Sequence, residues 1–200
     1  MREAVPAVIL LAAGASTRLG QPKQLVQFRG KSLLRRAAET AVAAAAGLPV
    51  LVVTGALHEE LLPELTDLPV QAVRCPEWEQ GMGASLKTGL TQLSASTGNP
   101  TGFVVMLCDQ PLVTTELLQE LEGVHQQTGQ PIVASAYAST VGVPVFFAAS
   151  MLPLLLALPD AAGAGQVLRQ HAELVATVEF PDGAFDVDTP AQLAALRASE

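Results

Sequence analysis

Two cations and three carboxylates stand out as residues that could do chemistry. Arg18 and Lys23 lie in "LLAAGASTRLGQPKQL" (Leu10–Leu25), Asp109 closes the apolar run "FVVMLCD", and Asp186 and Asp188 sit in "FDVDTP". In the first segment Ala12, Ala13 and Gly14 are small enough for the backbone to approach a ligand, and the N–H groups of a turn can donate to phosphate oxygens. Arg18 and Lys23 would neutralise the charge of such an anion, and Pro22 fixes φ just before Lys23. The glycine order matches neither GxGxxG nor GxxxxGK[ST], because Gly14 precedes Ala15 and Ser16, and Gly20 precedes Gln21, Pro22 and Lys23. On its own the stretch reads equally well as a tight turn with two solvated cations.

Asp109 shifts that balance. A carboxylate at the end of "FVVML" is poorly placed for solvation, and "DQP" supplies no neighbouring cation. Mg²⁺ carrying nucleotide phosphates would satisfy it, because this ion is held by one or two carboxylates plus phosphate oxygens. The competing role is a cap ahead of the helix "TTELLQEL". Asp186 and Asp188 alternate with Phe185 and Val187, which puts both carboxylates on one side of an extended segment before a helix that Pro190 opens. Either completes a two-carboxylate metal site or caps that helix.

The elements that must position these residues follow from the apolar pattern. "AVILLA" (Ala7–Ala12) predicts a buried strand and Ser32–Ala46 an Ala-rich helix ended by Gly47. "PVLVVTG" and "PVQAVRC" predict further strands, separated by a short helix "HEELLPEL". Beyond a loop at Cys75–Gly83 come a helix over Ala84–Leu93, a turn-rich connection "STGNPTG", and the strand Phe103–Asp109. The helix "TTELLQELEGVHQQ", the strand "PIVASAY", an apolar "VPVFF", the helices "ASMLPLLLAL" and "AGQVLRQ", the strand "LVATVEF" and a helix from Pro190 complete the pattern. This is the βαβ rhythm of a mostly parallel sheet between helical layers, in one domain over residues 1–200. Ligands in such sheets bind beyond the carboxyl ends of the strands, where strand order reverses. The strands before Gly14 and Asp109 are expected to be neighbours, with Gly14, Arg18 and Lys23 across a crevice from Asp109.

Composition narrows the partners. The net charge of −8 argues against a nucleic-acid-binding surface, yet Arg18, Lys23, Arg29, Lys31, Arg35 and Arg36 crowd a stretch with no Asp or Glu, an excess suited to a small anion. Lys31, Arg35 and Arg36 are expected on a solvated helix face. No apolar run approaches the ~20 residues of a bilayer span, and "MREAVPAVILLAAG" lacks a secretory cleavage pattern, so no membrane partner and a cytoplasmic location are expected. Cys75 and Cys108 have no CxxC spacing and read as buried apolar residues. Trp78 reads as a packing residue, Met82 as a base contact or a hydrophobe at the start of its helix, and Ser85 as a cap or a donor to a nucleotide. Lys87 either reaches an acceptor phosphate or faces solvent.

"LAAGASTRLGQPKQL" with "GKSLL", "WEQGMGASLKTGL", "LCDQPL", "GVPVFF" and "FDVDTP", in this order, resemble the MobA-like nucleotidyltransferases, and within them the molybdenum cofactor cytidylyltransferases. The resemblance runs from about Val8 to Leu196 and implies a three-layer α/β/α, nucleotide-diphospho-sugar transferase-like fold with a mixed, mostly parallel sheet. It implies transfer of a nucleoside monophosphate, CMP from CTP, to the phosphate of molybdopterin with release of pyrophosphate. Arg18, Lys23 and Asp109 would be the catalytic residues, and Asp109 and Asp188 would hold Mg²⁺. Leu11, Ala12, Ala13, Gly14, Ser16, Gly81, Met82 and Ser85 would join Arg18, Lys23 and Asp109 around the nucleotide. Gln110, Gly142 and Pro144 would face the acceptor. "LAAG" rather than "LAGG" favours CTP through Ala13. The resemblance also implies transient contact with a molybdoenzyme or its chaperone. Departures fall on the acceptor side: "PDAAGAG" displaces Asp160 from Gly163 and Ala164, and Val143 stands where relatives often carry a polar residue. A GTP-using enzyme, another phosphorylated acceptor, and a non-catalytic pterin carrier are the alternatives.

Overall fold

Strands covered on both faces are built from continuous apolar runs. Two such runs, β1 (Ala7–Ala12) and β4 (Val50–Thr54), are buried along their whole length. The computed structural model describes residues 6–96 and 100–198; residues 97–99 of the turn-rich connection and the first five residues of the N-terminal stretch lie outside them. The remaining strands are β2 (Gln27–Phe28), β3 (Lys31–Ser32), β5 (Gln71–Arg74), β6 (Gly102–Leu107), β7 (Ile132–Tyr137), β8 (Thr140–Ala148) and β9 (Val175–Glu179). The helices are α1 (Leu33–Ala45), α2 (His58–Leu61), α3 (Met82–Ala95), α4 (Thr115–Thr128), α5 (Leu152–Leu156), α6 (Ala164–Gln170) and α7 (Pro190–Ala198).

The main sheet has the order β5-β4-β1-β6-β8-β7-β9, and β2 and β3 form a separate small hairpin. Strands β5, β4, β1 and β6 are parallel, whereas β8 runs antiparallel to both β6 and β7, and β9 is again parallel to β7. From β1 the chain builds outward through β4 and β5, then returns to place β6 on the other side of β1. That reversal makes the crevice at the carboxyl ends of β1 and β6 the expected ligand position.

The two-residue period of β1 divides its side chains between the helical layers. Val8, Leu10 and Ala12 join a core with Leu34, Ala38 and Ala41 of α1 and Leu117, Leu118 and Leu121 of α4. Ala7, Ile9 and Leu11 join Leu86 and Leu90 of α3, Leu155 of α5 and Val167 and Leu168 of α6. A third cluster packs Leu19, Val26, Phe28 and Leu33 against Val187, Leu193 and Leu196. It fastens the glycine-rich segment to the residues that precede α7.

Several boundaries differ from the pattern-based expectations, each for a local reason. Helix α1 stops at Ala45 because Ala46 already turns left-handed, at φ 45°, before Gly47. Helix α3 begins at Met82, and the loop before it contains a 3-10 turn over Trp78–Gln80. "HEELLPEL" splits into α2 and a 3-10 turn over Leu62–Leu65, with Pro63 lacking the N–H that would continue the helix. "VPVFF" is the end of the nine-residue β8, hidden in the sequence by the small and polar residues that begin it. Among the described residues no helix is long and apolar enough to cross a membrane.

Candidate functional site

β1 and β6 pair in parallel, with Leu11 beside Leu107, so the segments after them leave the sheet side by side. The cavity they open, of about 290 Å³, is lined by Leu11, Ala12, Ala13, Gly14, Lys23, Gly81, Met82, Ser85 and Asp109 among the residues singled out from sequence. Gln24, Trp78, Glu79, Leu107 and Cys108 complete the wall. Ser16 and Arg18 are not part of this lining.

Lys23 is the junction of the site. Its Nζ donates to Asp109 Oδ2 at 2.5 Å and to Asp188 Oδ1 at 2.6 Å. The carboxylate that lacked a partner in its own segment thus finds one 86 residues away. Asp188 arrives because the N–H of Val187 donates to the carbonyl of Asp109 at 3.0 Å, while the Val187 side chain plugs the third apolar cluster. Arg18 stands at the rim, its side chain 80% exposed and 3.9 Å from Asp188. Burial alone would lower the Lys23 pKa, but the charge of Asp109 and hydrogen bonds to Asp109 and Asp188 outweigh it, and the ammonium is held more firmly than in water.

Neither acidic residue is a helix cap. Thr114 caps α4 by accepting from the N–H of Leu117, and Thr189 Oγ1 accepts from the N–H of Gln192 at the start of α7. Asp109 Oδ1 is buried with no hydrogen-bond partner, and an orphaned carboxylate oxygen beside a second carboxylate suits a divalent cation. Among the described residues no group of three His, Cys, Asp or Glu could hold a metal, so the protein would supply two carboxylates and leave the other positions to phosphate and water.

Asp186 turns a different way from Asp188. It hydrogen bonds to Gln192 Nε2 and lines a second cavity, of about 280 Å³, with Gln110, Tyr137, Val143 and Gly183. Burial, then the charges of Asp109 and Asp188, raise its pKa. A carboxyl whose pKa is higher in the folded than in the unfolded chain favours folding when protonated, and that contribution is lost as pH rises through the folded value. Asp186→Asn keeps an oxygen for Gln192 and is expected to raise the unfolding temperature at pH 7. The difference from wild type should close near pH 3, which thermal melts across that range will measure.

Of the three residues expected to face an acceptor, Gln110 lines the second cavity and donates to the carbonyls of Val143 and Gly183 at 3.2 and 3.1 Å. Gly142 borders a narrow apolar cavity with Met82, Tyr137 and Val143. Pro144 instead is buried within β8, where its carbonyl accepts from Ser135 Oγ at 2.8 Å beside the bulge at Ala134/Ser135.

The glycines of "GMG" serve a close approach. Gly81 adopts φ 129°, and a Cβ there would lie 2.7 Å from Ala161 Cα and Asp160 O. One on Gly83 would collide with the carbonyl oxygens of Pro159 and Ala162. Lys87 pairs with Asp160 and donates to the carbonyl of Leu158 at 3.1 Å, tying down the same loop. Gly83→Ala is expected to destabilise the chain by about 1–3 kcal/mol, a fall of roughly 2–12 °C in unfolding temperature that calorimetry will read.

Ser85 is not a cap either: the N-cap position of α3 is Gly81, with no side-chain cap, and Ser85 lines the first cavity. Trp78 packs over Gly55 and forms part of the cavity wall. Cys75 and Cys108 are buried and unpaired; burial, then the charge of Asp109, push the Cys108 thiol up to about 12, far from a thiolate at neutral pH. The cations of α1 are less solvated than expected. Arg35 pairs with Glu39 and donates to the carbonyls of Glu64 and Thr66, and Arg36 stacks over Phe28 at 5.0 Å. Sequence reasoning missed Gln24, which donates to the carbonyls of Ala12 and Gly14, and Tyr137, which lines the second cavity beside Gln110.

Residues 8–175 match the MobA-like NTP transferase domain. Nicotine blue oxidoreductase of Paenarthrobacter nicotinovorans is 32% identical over 196 residues, 92% of this chain and 93% of that protein. The crystal structure of Rv0371c from Mycobacterium tuberculosis H37Rv superposes with a TM-score of 0.78 at 27% identity, over 98% of this chain and 100% of that one. A complex of Rv0371C with manganese gives a TM-score of 0.72 at 25% identity, over 98% and 100% of the two chains. With the loop after β1, the paired carboxylates and the reversed strand order in place, the chain belongs to the MobA-like NTP transferase family.

Proposed function

We propose that this chain transfers a nucleoside monophosphate, CMP from CTP, to the phosphate of a molybdopterin-type acceptor, with Mg²⁺ as its cation. The observation that carries the reading is the convergence of Asp109 and Asp188 on one cationic group, with Asp109 Oδ1 unpartnered, at the edge of the β1/β6 cavity. The manganese complex of Rv0371C supports a divalent cation.

In the proposed reaction an oxygen of the acceptor phosphate attacks the α-phosphorus in line, one P–O bond forms, the bond to the β-phosphate bridge breaks, and pyrophosphate leaves. A phosphate monoester is already an adequate nucleophile, so positioning and charge neutralisation supply the catalysis. Asp109 and Asp188 would hold the cation, which when bound offsets the negative charge of the phosphates. Lys23, released from the carboxylates, and Arg18 at the rim would then meet the charge developing on the leaving group. The second cavity, bordered by Gln110, Tyr137 and Asp186, would take the acceptor.

The test is pyrophosphate release from CTP that requires both acceptor and Mg²⁺. A thermal-shift panel of CTP, GTP, ATP and UTP with Mg²⁺ reads the base preference, since a ligand at about 100 times its Kd adds about 2.7 kcal/mol. Stabilisation by GTP alone would reject cytidine, and binding without turnover would make the chain a carrier. The likeness to nicotine blue oxidoreductase favours a second reading, a redox activity. Reduction of nicotine blue by an added hydride donor, which is oxidised in turn, without pyrophosphate release would establish it.

A further inference from the structure

An anion cradle made of backbone needs its N–H groups facing the ligand and its carbonyls turned away, because a carbonyl oxygen repels phosphate as strongly as an amide attracts it. The turn after β1 meets this condition through one side chain. Gln24 is 1% exposed although it lies in a short surface loop, and its Nε2 donates to the carbonyl of Ala12 at 3.0 Å and to that of Gly14 at 2.7 Å. Its Oε1 accepts from Ser16 Oγ at 3.2 Å, and Ser16 Oγ in turn accepts from the N–H of Lys23 at 3.1 Å. The carbonyl of Ala13 faces the N–H of Ala56 at 3.4 Å, and that of Ser16 the N–H of Leu19 at 3.1 Å. The amides of Gly14, Ala15, Ser16 and Thr17 make no hydrogen bond to protein among the described residues. Engaged carbonyls and unpartnered amides are the polarity an anion requires, and Gln24 holds two of those carbonyls at once.

We infer that Gln24 is a positioning residue for the phosphate chain of a nucleoside triphosphate: it holds the carbonyls of Ala12 and Gly14 away from an anion, leaves the amides of the following turn free to donate at the mouth of the cavity, and sets the start of the Lys23 turn through Ser16. The inference rests on the nucleotide reading of the cavity. Gln24 itself touches no reacting atom. A side chain without donors would leave two buried carbonyls unsatisfied and free to rotate toward the phosphates.

The test is calorimetric titration of wild type and Gln24→Met with CTP, CMP, GTP and inorganic tripolyphosphate, each with Mg²⁺. In the variant, affinity for CTP and tripolyphosphate should fall at least about 10-fold while CMP stays within about 2-fold, so that selectivity for triphosphate over monophosphate collapses. A residue that merely stabilised the fold would weaken every ligand together, and unchanged selectivity overturns the inference. Wild type that binds tripolyphosphate but no nucleotide would reject the nucleotide reading and leave the Gln24 role to the tripolyphosphate arm. Wild type that binds neither rejects both. A measurement independent of any variant is side-chain amide exchange by nuclear magnetic resonance: the Gln24 amide protons should exchange at least about 10-fold more slowly than those of exposed Gln21, and equal rates overturn the inference.

Discussion

Asp109→Asn is expected to reduce turnover at least about 1,000-fold while leaving the chain folded. The side chain lies in the turn two residues beyond the apolar strand β6, and its two oxygens do different things: one holds Lys23 and the other is buried with no partner. Asparagine fills the same volume and keeps one oxygen, but it removes the negative charge and puts an amide donor where a cation would bind. Lys23 still has Asp188, so the pairing that supports the loop is weakened rather than lost. Initial rates across a Mg²⁺ series, with circular dichroism as the fold control, will measure this. Turnover within about tenfold of wild type would remove Asp109 from the reaction.

Lys23→Met is expected to have two effects of opposite sign. Turnover should fall at least about 10-fold, because among the described residues that line the cavity no other is a cation able to meet the leaving group. Affinity for a divalent cation in the absence of nucleotide should instead rise about 10-fold or more. The ammonium sits where the two carboxylates converge, and a monovalent and a divalent cation 4 Å apart repel by about 8 kcal/mol even at an effective dielectric of 20. On the proposed site the two would compete for one position, and nucleotide phosphates would offer Lys23 the alternative partner that frees it. Manganese titration followed by electron paramagnetic resonance reads this without any turnover. Affinity unchanged by the substitution would show that the ammonium does not stand in the cation's place.

What the sequence disclosed depended on how local each determinant is. The apolar runs at Ala7–Ala12, Val50–Thr54 and Phe103–Leu107 announce central strands, and their order with the intervening helices places Asp109 across from the loop at Gly14. Most cavity-lining residues of that loop were legible for the same reason. The antiparallel placement of β8 was not: its first residues are small or polar, and its pairing depends on a bulge at Ala134/Ser135. Nor was the partnership of Lys23 with Asp109, since nothing in "DQP" points to a lysine 86 residues earlier. Gln24 looked like any loop glutamine because its worth lies in the carbonyl directions of a turn ten to twelve residues before it. The "GMG" segment is expected around the nucleotide, and Gly81 and Met82 do line the first cavity; what the sequence does not disclose is that the Cβ positions of Gly81 and Gly83 are taken by the backbone of residues 159–162.

The third apolar cluster, small as it is, sets a schedule for biogenesis. It joins Leu19, Val26 and Phe28 to Val187 and Leu193, and the contact it enforces, Lys23 with Asp188, spans 165 residues. Contacts so distant along the chain form after local ones, because closing the longer loop costs more entropy. A nascent or nicked chain lacking the stretch beyond residue 184 would keep β5, β4, β1, β6 and Asp109 but lack Asp188 and the Val187 side chain that anchors the glycine-rich segment. On the proposed two-carboxylate site, such a molecule would stay inactive until the segment carrying Asp188 docks.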